Sequence, residues 1–337
     1  MRWHGVRAVP DAGPCCAAPD EAVVEAVGLS MTYPSGTEAL RDVSFSVERG
    51  SIVGYLGPNG SGKSTTVHIL TTALAPTGGT ACVCGYDIRS ARSKVRARVG
   101  FATQDVCLDW LVTTEDNLWF YGRMQGIGRS ELRASISRLL SDFELEEKRN
   151  APAWSLSGGQ SRRLQLSMTL LRRPEVLFVD EPTLGLDPLG KRTLFQRLAE
   201  LPTSGTTIFY SSNEMHELEK LCTHVIFIDR GEVIASGPLA QFVSEHSNGT
   251  TVEVVCGAPP TDDALAALET RWSIRLLSTT PLRWISWGPR STFAEAISWL
   301  ATQGTDIRDI KVREPSLEDA FIELVRRRGN ASRGGTR

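Results

Sequence analysis

The feature that most limits how this chain can fold is the glycine-rich segment Gly57 to Ser64, which reads Gly-Pro-Asn-Gly-Ser-Gly-Lys-Ser. It directly follows the apolar run Ile52 to Leu56, which predicts a buried strand, and it precedes helix-forming residues from Thr66 to Leu70. This order matches a phosphate-binding loop, in which backbone N–H groups turn inward around an anion. We therefore expect an α/β fold in which Lys63 neutralises phosphate oxygens and the Ser64 hydroxyl ligates Mg²⁺.

Two carboxylates follow a second apolar run, Val176 to Val179. Because α/β folds place their ligand crevice at the carboxyl ends of the strands, Asp180 and Glu181 are expected at the same edge as the phosphate-binding loop. Neighbouring side chains on a strand point to opposite faces, so the two carboxylates have different roles. We expect Asp180 to hold Mg²⁺ and Glu181 to polarise an attacking water.

The composition argues against several other classes of protein. The length of 337 residues is typical of about two domains. Lys plus Arg total 37 against 39 Asp plus Glu, so the chain has no overall positive charge of the kind that nucleic-acid-binding proteins usually carry. Its seven cysteines, an odd number, argue against a disulfide framework, and Cys82 and Cys84 lack the spacing of a zinc site. No apolar run approaches about 18 residues, so the chain itself is not expected to cross a bilayer.

From about residue 21, short β-branched runs alternate with helical patterns, which predicts a sheet layered with helices. Further expected strands are Ser44 to Val47, Val99 to Ala102, Thr206 to Tyr210 and Val225 to Ile228. Leucines at helical spacing between residues 112 and 172 predict an inserted helical subdomain. We therefore expect a flexible tail at 1–20 and one domain over 21–246.

The last third of the chain has a pattern of its own. The predicted order is strand (251–256), helix (262–270), strand (273–278), strand (282–287), helix (292–303) and strand (306–312). This βαββαβ order predicts a small α+β, ferredoxin-like domain over 251–328. Its last helix is expected to be capped by Ser316, with Asp319 three residues on. The basic tail at 329–337 is expected to be solvated, with a contact to anionic lipid as the alternative.

A third motif, Leu156-Ser157-Gly158-Gly159-Gln160, precedes a helix and forms a second phosphate-sized helix N-terminus without a lysine. The order of phosphate-binding loop, this segment and the Asp-Glu pair resembles the nucleotide-binding subunit of an ATP-binding cassette (ABC) transporter over about residues 22–246. By position, Gln104 resembles the glutamine of the family's Q-loop, Tyr33 the aromatic residue that stacks on adenine, and 184–187 the D-loop. The implied fold is a P-loop NTPase of the ABC ATPase kind: a mixed sheet core, an antiparallel β subdomain and the helical insertion.

The resemblance implies that ATP and Mg²⁺ bind between two subunits arranged head to tail, with 157–159 of one subunit closing over the γ-phosphate held by the other. The residues implied to bind ATP are Tyr33, Gly57, Pro58, Asn59, Gly60, Ser61, Gly62, Lys63, Ser64, Thr65, Ser157, Gly158, Gly159, Gln160 and Asp187. The implied catalytic residues are Lys63, Gln104, Glu181 and Asn213, and the implied Mg²⁺ ligands are Ser64, Gln104 and Asp180. ATP then joins the dimer and its hydrolysis releases it.

The chain departs from the family pattern at Asn213, which occupies the place of the switch histidine. Its amide can donate a hydrogen bond to a γ-phosphate oxygen, but it is shorter than imidazole and cannot carry a proton. The alternative that His216 substitutes for that histidine stays open. We expect ATP binding to be intact and hydrolysis to be slowed.

The segment Glu314 to Phe321 resembles the ending of ABC-2 type exporter ATPases of the daunorubicin-resistance kind. It implies an ATPase subunit at the cytoplasmic face of the membrane, joined to a separately encoded permease and to a second copy or a different ATPase subunit. A nucleotide-gated subunit with slowed or lost hydrolysis, acting in a regulatory or asymmetric pair, is the alternative. A cassette protein that acts on ribosomes or DNA is disfavoured, because the chain has one phosphate-binding loop and no coiled-coil or zinc insertion.

Overall fold

The computed structural model describes residues 22–183, 186–246, 249–272, 274–279, 281–286 and 290–333. The chain divides into two compact units, one ending at Pro238 and one beginning at Leu239. The expected tail at 1–20 lies outside the described residues. Of the expected tail at 329–337, residues 329–333 are described as backbone only, at the end of the last helix, and 334–337 lie outside the described residues. In the described part of the chain, no helix is long and apolar enough to cross a membrane.

Ten strands are described in the N-terminal unit. They are β1 (Ala22–Thr32), β2 (Glu38–Glu48), β3 (Ile52–Leu56), β4 (Gly78–Val83), β5 (Tyr86–Asp87), β6 (Val99–Ala102), β7 (Val176–Asp180), β8 (Thr207–Ser212), β9 (His224–Asp229) and β10 (Glu232–Pro238). One sheet is antiparallel, in the order β2-β1-β4-β5, and the other has the order β10-β9-β3-β8-β7-β6. The second sheet is parallel except for the β9/β10 hairpin. The expected α/β fold with a mixed sheet and an antiparallel subdomain is confirmed.

The helices of this unit cover the parallel sheet and form the insertion between β6 and β7. They are α1 (Lys63–Leu70), α2 (Arg92–Arg96), α3 (Thr114–Met124), α4 (Arg129–Asp142), α5 (Gly158–Leu170), α6 (Pro188–Glu200) and α7 (Met215–Leu218), with short 3₁₀ turns at Glu146–Lys148, Ala153–Ser155 and Leu201–Ser204. In α4, the leucines predicted at helical spacing are buried. An apolar face of this kind stabilises the insertion by packing against the neighbouring helices.

The parallel strands are nearly continuous runs of buried residues, since β3, β7 and β8 are buried at every position. Such strands need helices or other strands over both faces, which a βαβ arrangement supplies. A core of apolar side chains, among them Phe45, Tyr55 and Phe209, joins this sheet to the antiparallel one. The rings of Tyr55 and Phe209 lie 5.0 Å apart, a favourable aromatic separation.

The C-terminal unit begins with α8 (Leu239–His246), which packs against the last helix, α11 (Leu317–Arg333). Between them lie β11 (Thr250–Cys256), α9 (Asp262–Trp272), β12 (Ile274–Thr279), β13 (Leu282–Ser286), α10 (Arg290–Thr302) and β14 (Ile307–Arg313). The sheet has the order β12-β13-β11-β14 and every described pair is antiparallel, which is the ferredoxin-like arrangement expected from the βαββαβ pattern. The expected cap is present: the Ser316 hydroxyl accepts the backbone N–H of Asp319 at 3.2 Å.

Candidate functional site

The phosphate-binding loop lies between the buried strand β3 and helix α1, as its sequence predicts. Gly60 and Gly62 have φ values of 78° and 108°, a left-handed region that glycine adopts at little cost. A Cβ atom on Gly57 would stand 2.1 Å from the carbonyl oxygen of Ile228, so only glycine fits there. The loop is therefore shaped by its own glycines and by the neighbouring strand β9.

Two polar side chains of this loop suit an anion. The Lys63 Nζ donates to the carbonyl oxygens of Gly57 and Pro58, at 2.8 and 3.1 Å, and lies 4.0 Å from Glu181 Oε1. Burial lowers the pKa of the Lys63 ammonium, and the negative charges of Glu181 and Asp180 oppose that shift. The buried Ser61 hydroxyl has no hydrogen-bond partner among the described residues. A phosphate in the loop would supply acceptors to both side chains, so the residues present fit the nucleotide.

The two carboxylates after the second apolar run differ in environment. Asp180 is the last residue of β7, is 3% exposed, and accepts a hydrogen bond from the Ser211 hydroxyl of β8. Glu181 lies just beyond the strand with φ at 44°, and its backbone N–H donates to the carbonyl of Ser211 at 3.0 Å. Because β7 ends at Asp180, the strand alternation used in the sequence prediction does not extend to Glu181.

Asn213 lies beside the phosphate-binding loop. Its Nδ2 donates to Asn59 Oδ1 at 3.3 Å. The strand β8 continues to Ser212, two residues further than expected, so Asn213 emerges directly from the end of the strand. His216, the alternative switch residue, is exposed on the short helix α7.

Three further predicted site residues, Tyr33, Gln104 and Asp187, lie outside the phosphate-binding loop in the sequence. The Tyr33 hydroxyl is 3.1 Å from the Thr65 hydroxyl, which places the aromatic ring near α1. Gln104 follows β6 and has an exposed side chain. Asp187 caps α6 by accepting the backbone N–H of Gly190 at 2.9 Å, while Leu184 and Gly185 of the expected D-loop lie outside the described residues.

The segment 156–160, which we name the signature segment, begins α5. The Ser157 hydroxyl accepts the backbone N–H of Gln160 at 3.3 Å, and the Gln160 side chain accepts the backbone N–H of Ser157 at 2.9 Å, a reciprocal capping box. Ser157 and Gly158 are exposed. Among the described residues, no hydrogen bond or ion pair joins the signature segment to the phosphate-binding loop of the same chain.

Sequence reasoning missed three features of this region. Ser211 supplies the hydrogen bond to Asp180, and Arg162 with Gln165 holds the segment that carries Gln104. The third feature is an apolar set on the helical insertion whose side chains are 43–87% exposed: Trp110, Leu111, Phe120, Met124 and Trp154. Apolar residues at helical spacing are ordinarily interpreted as core residues. The only sequence signal for an exposed apolar surface here is the presence of large aromatic residues beside polar positions of the same helix.

Comparisons with known proteins bear on this geometry. The ABC transporter family profile matches residues 40–184, which include the phosphate-binding loop, the signature segment and both carboxylates. A daunorubicin resistance ATP-binding protein of Streptomyces coeruleorubidus is 33% identical over 86% of this chain and 91% of its own length. The chain belongs to the ABC transporter family. The cassette is thus an ATP-binding and ATP-hydrolysing subunit, and the gated alternative is not favoured.

Other relatives and solved structures agree with this assignment. A doxorubicin resistance ATP-binding protein of Mycobacterium tuberculosis is 32% identical over 91% of the chain and 94% of its own length. A Nod factor export ATP-binding protein of Ralstonia nicotianae is 38% identical over 74% of the chain and 75% of its own length. A dimeric ATP-binding cassette solved in a post-hydrolysis state with ADP and phosphate is 26% identical, with a TM-score of 0.59 over 64% of this chain and 98% of that one.

Proposed function

We propose that this cassette powers an export complex by closing head to tail with a second ATPase subunit around ATP. The drug-resistance and Nod factor export relatives support an exported substrate of the drug, antibiotic or lipid-like class. A second copy of the chain serves as the partner subunit in the simplest assembly, since most soluble oligomers are symmetric.

The residues around the phosphate-binding loop have distinct roles in the proposed reaction. Lys63 and the loop N–H groups bind the phosphates, and Glu181 orients and polarises the attacking water. Asn213 donates a hydrogen bond toward the γ-phosphate. Ser64, Gln104 and Asp180 are the residues that would hold Mg²⁺, which offsets the charge of the phosphate oxygens when bound.

The observation that carries the proposal is that each chain has two anion-binding helix N-termini that do not meet. One begins α1 and has the buried cation Lys63; the other begins α5, is exposed and has no lysine. A Cβ atom on Gly159 would meet only Leu186, at 3.7 Å, so the fold of the single chain does not require glycine there. Glycine instead leaves room for the phosphate and loop of a second subunit.

The exposed apolar set on the helical insertion supports a separate membrane subunit as the other partner. Phe120 and Met124 are 67% and 72% exposed and share one face of α3, since they are four residues apart. The backbone N–H of Trp154 donates to the carbonyl of Trp110 at 3.2 Å, so the backbones of two further exposed tryptophans are adjacent. We infer that this surface docks a permease at the cytoplasmic side of the membrane, where ATP is available.

Mixing two inactive variants tests the head-to-tail arrangement. Lys63→Ala removes the phosphate cation, and Ser157→Arg blocks the signature segment, so each variant alone is expected to be inactive. In a mixed dimer, one site combines both lesions and the other combines intact Lys63 with intact Ser157. Activity should therefore return on mixing, to about a quarter of the wild-type level at equal amounts. Failure of ATP hydrolysis to return at any mixing ratio would contradict the proposal.

A further inference from the structure

Two buried side chains of α5 reach the segment that carries Gln104. Arg162 and Gln165 are 3% and 5% exposed and lie one helical turn apart. The Arg162 guanidinium donates from Nη1 to the Thr103 carbonyl at 2.7 Å and from Nη2 to the Gln104 carbonyl at 2.6 Å. Its Nη1 also donates to Gln165 Oε1 at 2.7 Å, so the two side chains form one hydrogen-bonded unit.

Gln165 extends this unit to the next residue of the same segment. Its Nε2 donates to the Asp105 carbonyl at 2.7 Å and lies 3.0 Å from the Thr103 hydroxyl. Strand β6 ends at Ala102, so the carbonyls of 103–105 are beyond the ladder that would otherwise pair them. Three successive carbonyls are bound instead by α5.

The use of a buried arginine for this contact has an energetic consequence. The Arg162 guanidinium stays charged although it is buried, because arginine is not deprotonated in proteins. Among the described residues, no carboxylate lies within ion-pair distance of it. A buried charge is costly unless hydrogen bonds satisfy it, and the planar fork of arginine can serve several acceptors at fixed angles where a lysine ammonium cannot.

We infer that Arg162 and Gln165 clamp residues 103–105 onto α5, so that Gln104 and the signature segment of one chain move as a single body. This inference rests on the proposed head-to-tail dimer. There, Gln104 serves the ATP bound to its own chain, whereas Ser157, at the start of α5, serves the ATP bound to the other subunit. The clamp therefore couples the two ATP sites, and Arg162 and Gln165 are positioning residues.

The first test separates geometry from charge. Arg162→Lys keeps the buried charge but loses the fork, and Gln165→Met removes the amide at similar length. We expect kcat for ATP hydrolysis to fall roughly tenfold or more in Arg162→Lys, with the Kd for ATP within about twofold of wild type, because the phosphate-binding loop is untouched. Arg163→Lys is the control, since the Arg163 guanidinium binds Glu144 at 2.7 Å and makes no contact with 103–105 among the described residues.

Unchanged kcat in both Arg162→Lys and Gln165→Met would overturn the inference. Equal losses of kcat and ATP affinity in Arg162→Lys would also overturn it, since they would indicate a structural role only. Gln165→Met leaves Arg162 in place. It therefore tests the contact with 103–105 even if Arg162→Lys fails to fold.

The second test asks whether the clamp acts on both sites. In the mixed dimer of Lys63→Ala and Ser157→Arg chains, the working site takes Gln104 from the Ser157→Arg chain and Ser157 from the Lys63→Ala chain. Arg162→Lys is added to one chain or to the other. Coupling predicts a loss of activity in both placements, whereas a loss in only one placement would restrict the residue to a single site and overturn the coupling. Absence of activity in the parent mixture would instead contradict the head-to-tail dimer.

Discussion

At the scale of single residues, we propose that the site departs from its family pattern at Asn213. Its side chain donates to Asn59 of the phosphate-binding loop and follows a fully buried strand, which supports the proposed hydrogen bond to the γ-phosphate. Unlike a histidine, asparagine cannot take up or release a proton near neutral pH, although its amide can donate a hydrogen bond.

Asn213→His is expected to raise the steady-state rate of ATP hydrolysis by roughly tenfold or more, since a positioned imidazole adds a longer donor that can carry charge. Its Kd for ATP should change little, because Lys63 and the loop N–H groups remain. The measurement is turnover under saturating Mg-ATP, with Glu181→Gln as the inactive reference. His216→Ala should match wild type; a loss of activity there would assign the switch role to His216.

At the scale of elements, a polar cluster ties α7 to α6 and to the segment after β7. Glu217 is 5% exposed; it accepts the Thr183 hydroxyl at 2.6 Å and the Lys191 ammonium at 2.5 Å. Burial alone raises the pKa of the Glu217 carboxyl, but the hydrogen bonds from Lys191 and Thr183 outweigh burial and hold it below its ordinary value. The ionised form therefore stabilises the packing of α7 against α6 and the segment after β7.

The contribution of Glu217 to the free energy of unfolding should depend on pH. Because the pKa is lower in the folded state, the stabilisation is complete above the unfolded-state pKa of about 4.3 and is lost as the pH falls through the folded-state value. Glu217→Gln should cost about 1–3 kcal/mol at pH 7 and progressively less below about pH 4, measured by urea unfolding. Glu200→Gln, at an exposed pair with Arg197, is the control. A cost that stays constant down to pH 3 would contradict this account.

At the scale of the whole molecule, each of the two units has its own hydrophobic core. The core of the C-terminal unit is centred on Trp284, which is fully buried, with Val252, Leu268 and Leu300 around it. None of these residues belongs to the core that joins the two sheets of the ATPase unit. We propose that this ferredoxin-like unit folds around a separate core and regulates or stabilises the assembly without a ligand of its own.

Trp284→Ala should destabilise the C-terminal unit by about 3–5 kcal/mol, the usual cost of removing a buried aromatic ring. ATP binding should persist, because the phosphate-binding loop depends on the other core. Circular dichroism during thermal unfolding measures the first effect and nucleotide titration the second. Leu277→Ala, at a half-exposed position of β12, should leave both unchanged. Loss of ATP binding together with folding in Trp284→Ala would show that the two cores depend on each other.

The sequence by itself determined the features that depend on short stretches of chain. The phosphate-binding loop, the cap at Ser316 and the βαββαβ order arise from glycine positions, side-chain caps and hydrophobic periodicity, all of which act over a few residues. These patterns were enough to predict the fold class, the order of elements and the placement of Lys63 and Asp180 at one edge of the sheet.

Tertiary structure alone decided which distant residues complete the site. Ser211 lies 31 positions from Asp180, Arg162 lies 59 from Thr103, and Asn213 lies 154 from Asn59, yet each pair forms a hydrogen bond. Serine, arginine and asparagine have no periodicity that marks such partners, because the contact is set by which strands and helices become neighbours. The left-handed turn at Glu181 and the exposure of the apolar set on the insertion depend in the same way on packing around them, which local sequence patterns do not encode.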